Sequence, residues 1–393
     1  MKDLFVIVAW LVAGAWLYKF VEAALGFRKV VNLAMPEHDR TPALLPAIVV
    51  IVPARNEEED IAHCLESLLG QDYPNLRVIA VDDRSTDATG VMMDRIAEQA
   101  GGRLEVFHIE ELPAGWLGKT YALATTARTA LERYNPEYLL FTDGDVIFER
   151  SILRRTLARA METRADHLVV MPTTIAKSAG EAAVLSFMQV MSLWAVRPWR
   201  VSDPNAKRDT IGVGAFNLVR SEAYRQIGGF EAMPMEVLED LYLGRRMKAS
   251  GLTQGVAVAP GMVNVHWATG ARGIVNGTTK NIFAVFRFRT ALLLAAAAGV
   301  LLNAVGPAVF TVFAATRVAA VLGLAAVFGV YWLSGRATRI SALFALAFPF
   351  AGIIVVYAML RSMFVTVRNK GVVWRGTFYR LDELRRGMAR PSR

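Results

Sequence analysis

The spacing of apolar positions changes character along this chain, and each change predicts a different kind of element. Residues 4–18 form one apolar run broken only by small or aromatic residues. From 46 to 260, short β-branched runs alternate with stretches of helical spacing. Residues 47–52, 76–81, 104–109 and 138–142 read as strands; the first two are short and rich in β-branched residues, as expected for buried strands. Between them, Ile61, Leu65 and Leu68 mark one face of a helix over 57–69, whose acidic first turn suits the helix dipole. Residues 87–100 predict a further helix capped by Ser85 or Asp87, and 119–132 and 150–162 two more. Strand–helix alternation predicts an α/β fold with a mostly parallel sheet and its ligands at the carboxyl ends of the strands.

The apolar runs near the termini predict membrane helices. Residues 4–18 read as an uncleaved anchor; Ala13-Gly14-Ala15 resembles a signal-peptide cleavage site, but one Lys and one Asp make a weak leader before it. Residues 182–199, rich in Met and Trp, fit either a core helix or one lying in the membrane interface, and 282–289 fits an interfacial helix. Three apolar segments follow, at 291–315, 318–333 and 340–360. The outer two reach the roughly 20 residues that a crossing needs, and the middle one is short. The expected organisation is an anchor at 1–22, a catalytic domain at 46–265, an interfacial segment at 266–290, membrane helices at 291–366 and a basic tail at 367–393. Basic residues after the anchor place the domain in the cytoplasm, in the manner of a bacterial inner-membrane protein. Three C-terminal crossings then conflict with the positive-inside rule for the Arg-rich tail, unless one segment is re-entrant or Pro349 breaks the last.

Composition sharpens this picture. Of the 393 residues, 54% are hydrophobic, and mean hydropathy is +0.34, too apolar for a purely soluble protein. The net charge of +9 is not gathered into a patch with interleaved aromatics, which argues against nucleic acid. Instead Lys19, Arg28, Lys29, Arg287, Arg289, Arg336, Arg339, Arg368, Lys370 and Arg375 lie where the chain leaves apolar segments, as attraction to anionic lipid requires. The single cysteine, Cys64, allows no intrachain disulfide, and five scattered histidines offer no zinc spacing.

The acidic motifs carry the chemistry. Asp143-Gly144-Asp145 follows a strand, where two carboxylates can share a hard divalent cation, Mg²⁺ or Mn²⁺, and the sugar diphosphate it carries. Asp82-Asp83 ends another strand and can accept hydrogen bonds from a base or ribose; it is equally a strand-end turn. Glu239-Asp240 opens a helix, where a carboxylate can serve as general base or simply favour the dipole. Residues 112–119 form a Pro/Gly loop ending in Lys119, positioned for a phosphate. Gly212-Val213-Gly214 lacks the third glycine of a dinucleotide fingerprint.

In order and spacing these motifs resemble the inverting glycosyltransferases of family 2, which have a GT-A fold: a Rossmann-like, mostly parallel sheet. The motifs are Pro53-Ala54-Arg55-Asn56-Glu57, Asp82 to Asp87, Asp143-x-Asp145, Gly214-Ala215-Phe216 with Ile227-Gly228-Gly229-Phe230, and Glu239-Asp240. Pro113-x-Gly115-Trp116-x-Gly118-Lys119, Lys280-Asn281 and residues 371–379 are similar to the membrane-bound lipid-modifying branch, with its ceramide glucosyltransferases and hopanoid- or carotenoid-associated enzymes. The resemblance implies one N-terminal and about three C-terminal membrane helices, and a hexose transferred from a nucleotide sugar, UDP-linked, to a lipid hydroxyl. It implies Pro53, Arg55, Glu57, Asp82 or Asp83, Lys119, Asp143 and Glu239 around the nucleotide sugar. Asp143 and Asp145 would hold Mg²⁺ or Mn²⁺, and Asp240 would be the base. The chain lacks the Gln-x-x-Arg-Trp of processive synthases; the corresponding stretch is 266–281, with Arg272, Lys280 and Asn281. A polysaccharide synthase and a non-catalytic nucleotide- or lipid-binding scaffold are the alternatives.

Overall fold

A computed structural model describes residues 2–388. The N-terminal helix α1 (Lys2–Gly26) leads through the short strand β1 (Val31–Asn32) into β2 (Ile48–Ala54), α2 (Ile61–Leu69), β3 (Leu76–Asp83), α3 (Thr89–Gln99) and β4 (Leu104–Ile109). Then come α4 (Gly118–Arg133), β5 (Tyr138–Phe141), β6 (Val146–Phe148), α5 (Ile152–Thr163), β7 (His167–Met171), β8 (Thr173–Thr174), α6 (Ala179–Ala195) and β9 (Asn217–Arg220). After α7 (Ser221–Gln226), α8 (Glu239–Ala249), β10 (Gln254–Val258) and β11 (Val263–Val265), the chain turns helical in α9 (Gly270–Thr278) and α10 (Ile282–Val285). The long helices α11 (Thr290–Phe310), α12 (Arg317–Thr338) and α13 (Phe348–Arg368) precede a hairpin of β12 (Gly371–Trp374) and β13 (Thr377–Arg380), and α14 (Leu381–Gly387).

The main sheet has the order β1-β10-β7-β9-β5-β2-β3-β4, with β9 antiparallel to both neighbours and every other pair parallel. Its strands alternate between two cores, because successive side chains leave a strand on opposite faces. Ile48, Val50 and Val52 of β2 pack with Val78, Ala80 and Leu140 on one face. Val49 and Ile51 pack with Ile79, Leu139 and Phe141 on the other. Both faces are covered, so β2 is buried along its whole length. A smaller sheet, β6-β11-β8, lies beside it.

Two expected helix boundaries shift. The helix expected at 57–69 begins only at Ile61, because Asn56 takes a left-handed conformation (φ 55°) and residues 57–60 form a turn. The helix expected at 87–100 begins at Thr89, whose N–H donates to the Asp87 carboxylate, while the Ser85 hydroxyl is occupied by the Asn56 N–H.

Among the described residues, five helical segments are long and apolar enough to cross a membrane: Lys2–Lys29, Ala179–Arg200, Thr290–Phe310, Arg317–Thr338 and Ala342–Arg368. The middle C-terminal segment, expected to be short, continues to Thr338 as a 22-residue helix. Pro349 does not break the last helix; it occupies the first turn of α13, where a missing N–H costs nothing. The interfacial helix expected at 282–289 is a single turn, and Phe283 and Phe288 are buried against Met359, Trp374 and Tyr379 instead of facing lipid. α6 buries Phe187 and Val190 among Trp16, Val330, Tyr331 and Phe348.

The helix contacts order the bundle. Gly323 of α12 lies against Ala13 of α1, and Gly329 against Phe20, so these two helices run parallel with small residues at their contact. Gly352 lies against Ala304, while Met359 shares a cluster with Leu293 and Ala297, so α11 and α13 run antiparallel. The Arg339 guanidinium, just beyond α12, lies against Gly261 of the sheet domain. The chain then folds back as a 3₁₀ turn (Ala342–Ala347) into α13, whose far end delivers the β12–β13 hairpin to the same domain. The segment 342–368 therefore leaves from and returns to the side of the sheet domain.

Candidate active site

The acidic motifs meet where the parallel strands end. β5 stops at Phe141, and the following turn projects Asp143 and Asp145. Lys119, in the first turn of α4, bridges this turn to α8: its Nζ lies 2.6 Å from Asp143 Oδ1 and 2.6 Å from Glu239 Oε1. Burial disfavours the ammonium, but the two carboxylates outweigh it and hold Lys119 firmly protonated. Burial likewise pushes the Asp143 carboxyl up, and the Lys119 ammonium reverses this, keeping it ionised.

The other two carboxyls sit differently. Asp145 is pushed up to about 7 by burial, then by the neighbouring charges of Asp143 and Glu57. Its Oδ1 is buried without a hydrogen-bond partner. Asp240 is also pushed up to about 7, by burial and then by Glu239. Its carboxylate is nevertheless anchored: Oδ2 accepts the Gly214 N–H at 2.8 Å and Oδ1 accepts the Leu241 N–H at 2.6 Å. The Gly212–Gly214 loop owes this approach to its missing side chains. A Cβ on Gly212 would lie 1.7 Å from the Asp240 carbonyl oxygen, and one on Gly214 would lie 2.3 Å from Asp143 Oδ2.

Glu57 and Arg55 line the neighbouring end of β2. Glu57 is raised by burial, partly offset by Arg375, whose Nη2 lies 2.9 Å from Glu57 Oε1. Arg55 Nη1 reaches Thr377 Oγ1 at 3.4 Å, and Pro53 is buried within β2. Asp82 and Asp83 diverge, as adjacent strand residues must. Asp82 accepts the Ser85 N–H and lies 3.1 Å from His108 Nδ1. Asp83 pairs with Arg84 at 2.7 Å, next to Gly118 and the start of α4. The expected site thus gathers Glu57, Lys119, Asp143, Asp145, Glu239 and Asp240 into one cluster, while Asp82 is engaged by Ser85 and His108. His266 stands apart, 3.4 Å from Glu181 at the head of α6.

The hairpin adds residues that motif reading gave no role. Arg375 reaches Glu57, and Lys280 Nζ lies 4.4 Å from the centre of the Trp374 ring. Burial, then Arg375 and Lys119, push Lys280 down to about 8. Arg375 lies 318 residues from Glu57 in sequence, so no local spacing signals the pair.

Residues 49–228 match the model of Glycosyl transferase family 2. That stretch, a little under half of the chain, is similar to a family 2 glycosyltransferase domain. Over 243 residues it is 27% identical to the 4,4'-diaponeurosporenoate glycosyltransferase of Staphylococcus aureus strain USA300, and over 241 residues 26% identical to that of strain bovine RF122 / ET3-1. Each match covers 60% of this chain and spans only 60% of the relative's length. Among solved structures, the mannosyltransferase PcManGT from Pyrobaculum calidifontis, in complex with GDP-Man and Mn²⁺, aligns with a TM-score of 0.50 at 20% identity. The alignment covers 91% of this chain and 98% of that one. The likeness establishes the fold of this chain as that of GT-A transferases, with long apolar helices added at both ends.

Proposed function

We propose that this protein is a membrane-bound inverting glycosyltransferase that moves one hexose from a UDP-linked sugar to a lipid hydroxyl. The observation that carries the reading is the Asp240 carboxylate: anchored by two backbone N–H groups, raised to about 7, and joined to the Asp143 side through Glu239 and Lys119. A carboxyl with that affinity for a proton suits general-base work near neutral pH. The acceptor oxygen attacks the anomeric carbon from the face opposite the diphosphate. Its proton passes to an Asp240 carboxylate oxygen, the bond from the anomeric carbon to the diphosphate oxygen breaks, and the electron pair leaves on the diphosphate. Lys119 stabilises that leaving charge while keeping Asp143 ionised.

The donor set suits a divalent cation. Asp145 has an unpartnered buried oxygen and crowded negative neighbours, while among the described residues no cluster of three or more His, Cys, Asp or Glu side chains could cage an ion alone. That pattern fits Mg²⁺ or Mn²⁺ held by Asp143 and Asp145 together with substrate phosphates, as is usual for Mg²⁺. Such an ion neutralises the diphosphate charge as a Lewis acid. The long apolar helices beside the site and the carotenoid-associated relatives support a lipid acceptor. We place the catalytic domain on the cytoplasmic side of a bacterial inner membrane, which leaves Arg336, Arg339, Arg368 and Lys370 all on the positive side.

The test incubates detergent-purified protein with Mg²⁺ or Mn²⁺, labelled nucleotide sugars and a total lipid extract, resolved on a thin-layer plate. One new labelled lipid is expected. A ladder of products would replace single transfer with polymer synthesis, and no transfer from any donor would remove the enzyme reading.

A further inference from the structure

The C-terminal hairpin lies outside the family 2 match at 49–228, yet it closes over the centre of the site. Its tip is a two-residue turn with Arg375 at φ 48° and Gly376 at φ 77°, the type I′ geometry that suits the twist of a hairpin. The strands pair from Gly371↔Arg380 to Trp374↔Thr377, so the register sets Arg375 at the extreme tip. Three contacts fasten that tip to the ends of the catalytic strands and helices. Arg375 pairs with Glu57, Arg55 bonds to Thr377, and the Gly118 N–H donates to the Tyr379 hydroxyl at 3.2 Å, one residue before Lys119. Beneath, Val372, Trp374, Tyr379 and Leu384 are buried against Leu117, Phe283 and Phe288.

The charges gathered there exceed what the protein itself uses. Lys280 sits on the Trp374 ring and pairs with no carboxylate among the described residues. The Trp374 Nε1 and Arg55 Nε are buried without a hydrogen-bond partner, and Trp374 is only 8% exposed. Buried polar groups ordinarily find partners, so orphaned N–H donors beside two cations point to an absent polyanion.

We propose that the hairpin is a cationic strap whose Arg375, with Lys280 and Trp374 behind it, binds the diphosphate of the donor. Glu57 holds Arg375 in place until the diphosphate competes for it. The planar guanidinium fits two phosphate oxygens at once, whereas Lys280 acts as a point charge. The strap discriminates by phosphate count: it grips a nucleoside diphosphate and leaves a monophosphate largely unread. This inference rests on the nucleotide-sugar reading and names residues that the family match does not contain.

The test is calorimetric binding of UDP, UMP, GDP and GMP to the full-length protein in detergent with Mg²⁺. The wild type is expected to bind one diphosphate more tightly than its monophosphate. Arg375→Ala and Lys280→Met should each weaken the diphosphate about ten-fold or more, the scale of a lost charge-assisted hydrogen bond, and leave the monophosphate unchanged. Arg375→Lys should recover part of the loss. Arg380→Ala, on the same hairpin but paired with Asp382 at the surface, should change neither. Equal losses for diphosphate and monophosphate in Arg375→Ala and Arg375→Lys would make the hairpin merely structural and overturn the strap. Unchanged binding in both variants would overturn it while leaving the transferase reading intact. A wild type with no preference for either diphosphate would overturn both.

Discussion

Two carboxyls of the site, Asp145 and Asp240, are raised to the same value, about 7, by different surroundings. Asp145 crowds against Asp143 and Glu57 and keeps an oxygen with no partner. Asp240 crowds against Glu239, but its oxygens are held by the N–H groups of Gly214 and Leu241. Burial is the largest influence on both. The difference is in what relieves the stress: a cation suits Asp145, whereas a proton taken from an acceptor suits Asp240. Similar upward shifts therefore accompany the two different tasks proposed for these carboxyls, and geometry separates them.

The largest expected effect comes from removing the base. Asp240→Asn should lower kcat by about 10²–10⁴-fold with little change in nucleotide binding, measured by turnover beside calorimetry; near-normal turnover would assign the proton to another group. Next is the metal corner. EDTA, or Asp145→Ala, should abolish transfer, and restored Mn²⁺ should rescue the first but not the second; transfer that persists in EDTA would break the assignment.

A pH profile sharpens the comparison further. Both carboxyls must lose a proton to act, so activity should fall as pH drops below about 7, approaching a hundred-fold per unit where both titrate and ten-fold per unit where only one does. Excess Mn²⁺ should move the limb to lower pH if Asp145 sets it, because the cation competes with the proton. The limb should stay in place if Asp240 sets it. The smallest effect expected is at Asp82. Asp82→Asn, whose partners are Ser85 and His108, should raise KM for the donor only a few-fold, within the roughly 0.5–1.5 kcal/mol net of a typical hydrogen bond. Asp83→Asn, beside Arg84 and Gly118, should raise it more. The reverse ranking, read from donor KM values, would exchange their roles.

The first half of the sheet domain is legible in the sequence because its strands β2 to β5 announce themselves locally. The buried runs of β2 and β3, the turn after β5 and the acidic opening of α8 all lie within a few residues of the groups they position. The later strands β7, β9 and β10 carry no such local signal, since their pairing is set by partners far away in the chain. The aromatic–basic run at α10 has an interfacial pattern in sequence, while the structure buries Phe283 and Phe288 beneath the C-terminal hairpin and leaves Val285 exposed.

By itself, the sequence determined the parallel α/β plan, the long apolar helices and the acidic groups at strand ends, because period, apolar length and turn chemistry are local properties. Only the tertiary structure decided which aspartate of the 82–83 pair turns toward α4, how Lys119 joins Asp143 to Glu239, and that the 342–368 segment returns its chain to the side of the sheet domain. It alone carried Arg375 to Glu57. Those outcomes depend on contacts between residues tens to hundreds of positions apart, where packing and paired charge select one arrangement that no local pattern encodes.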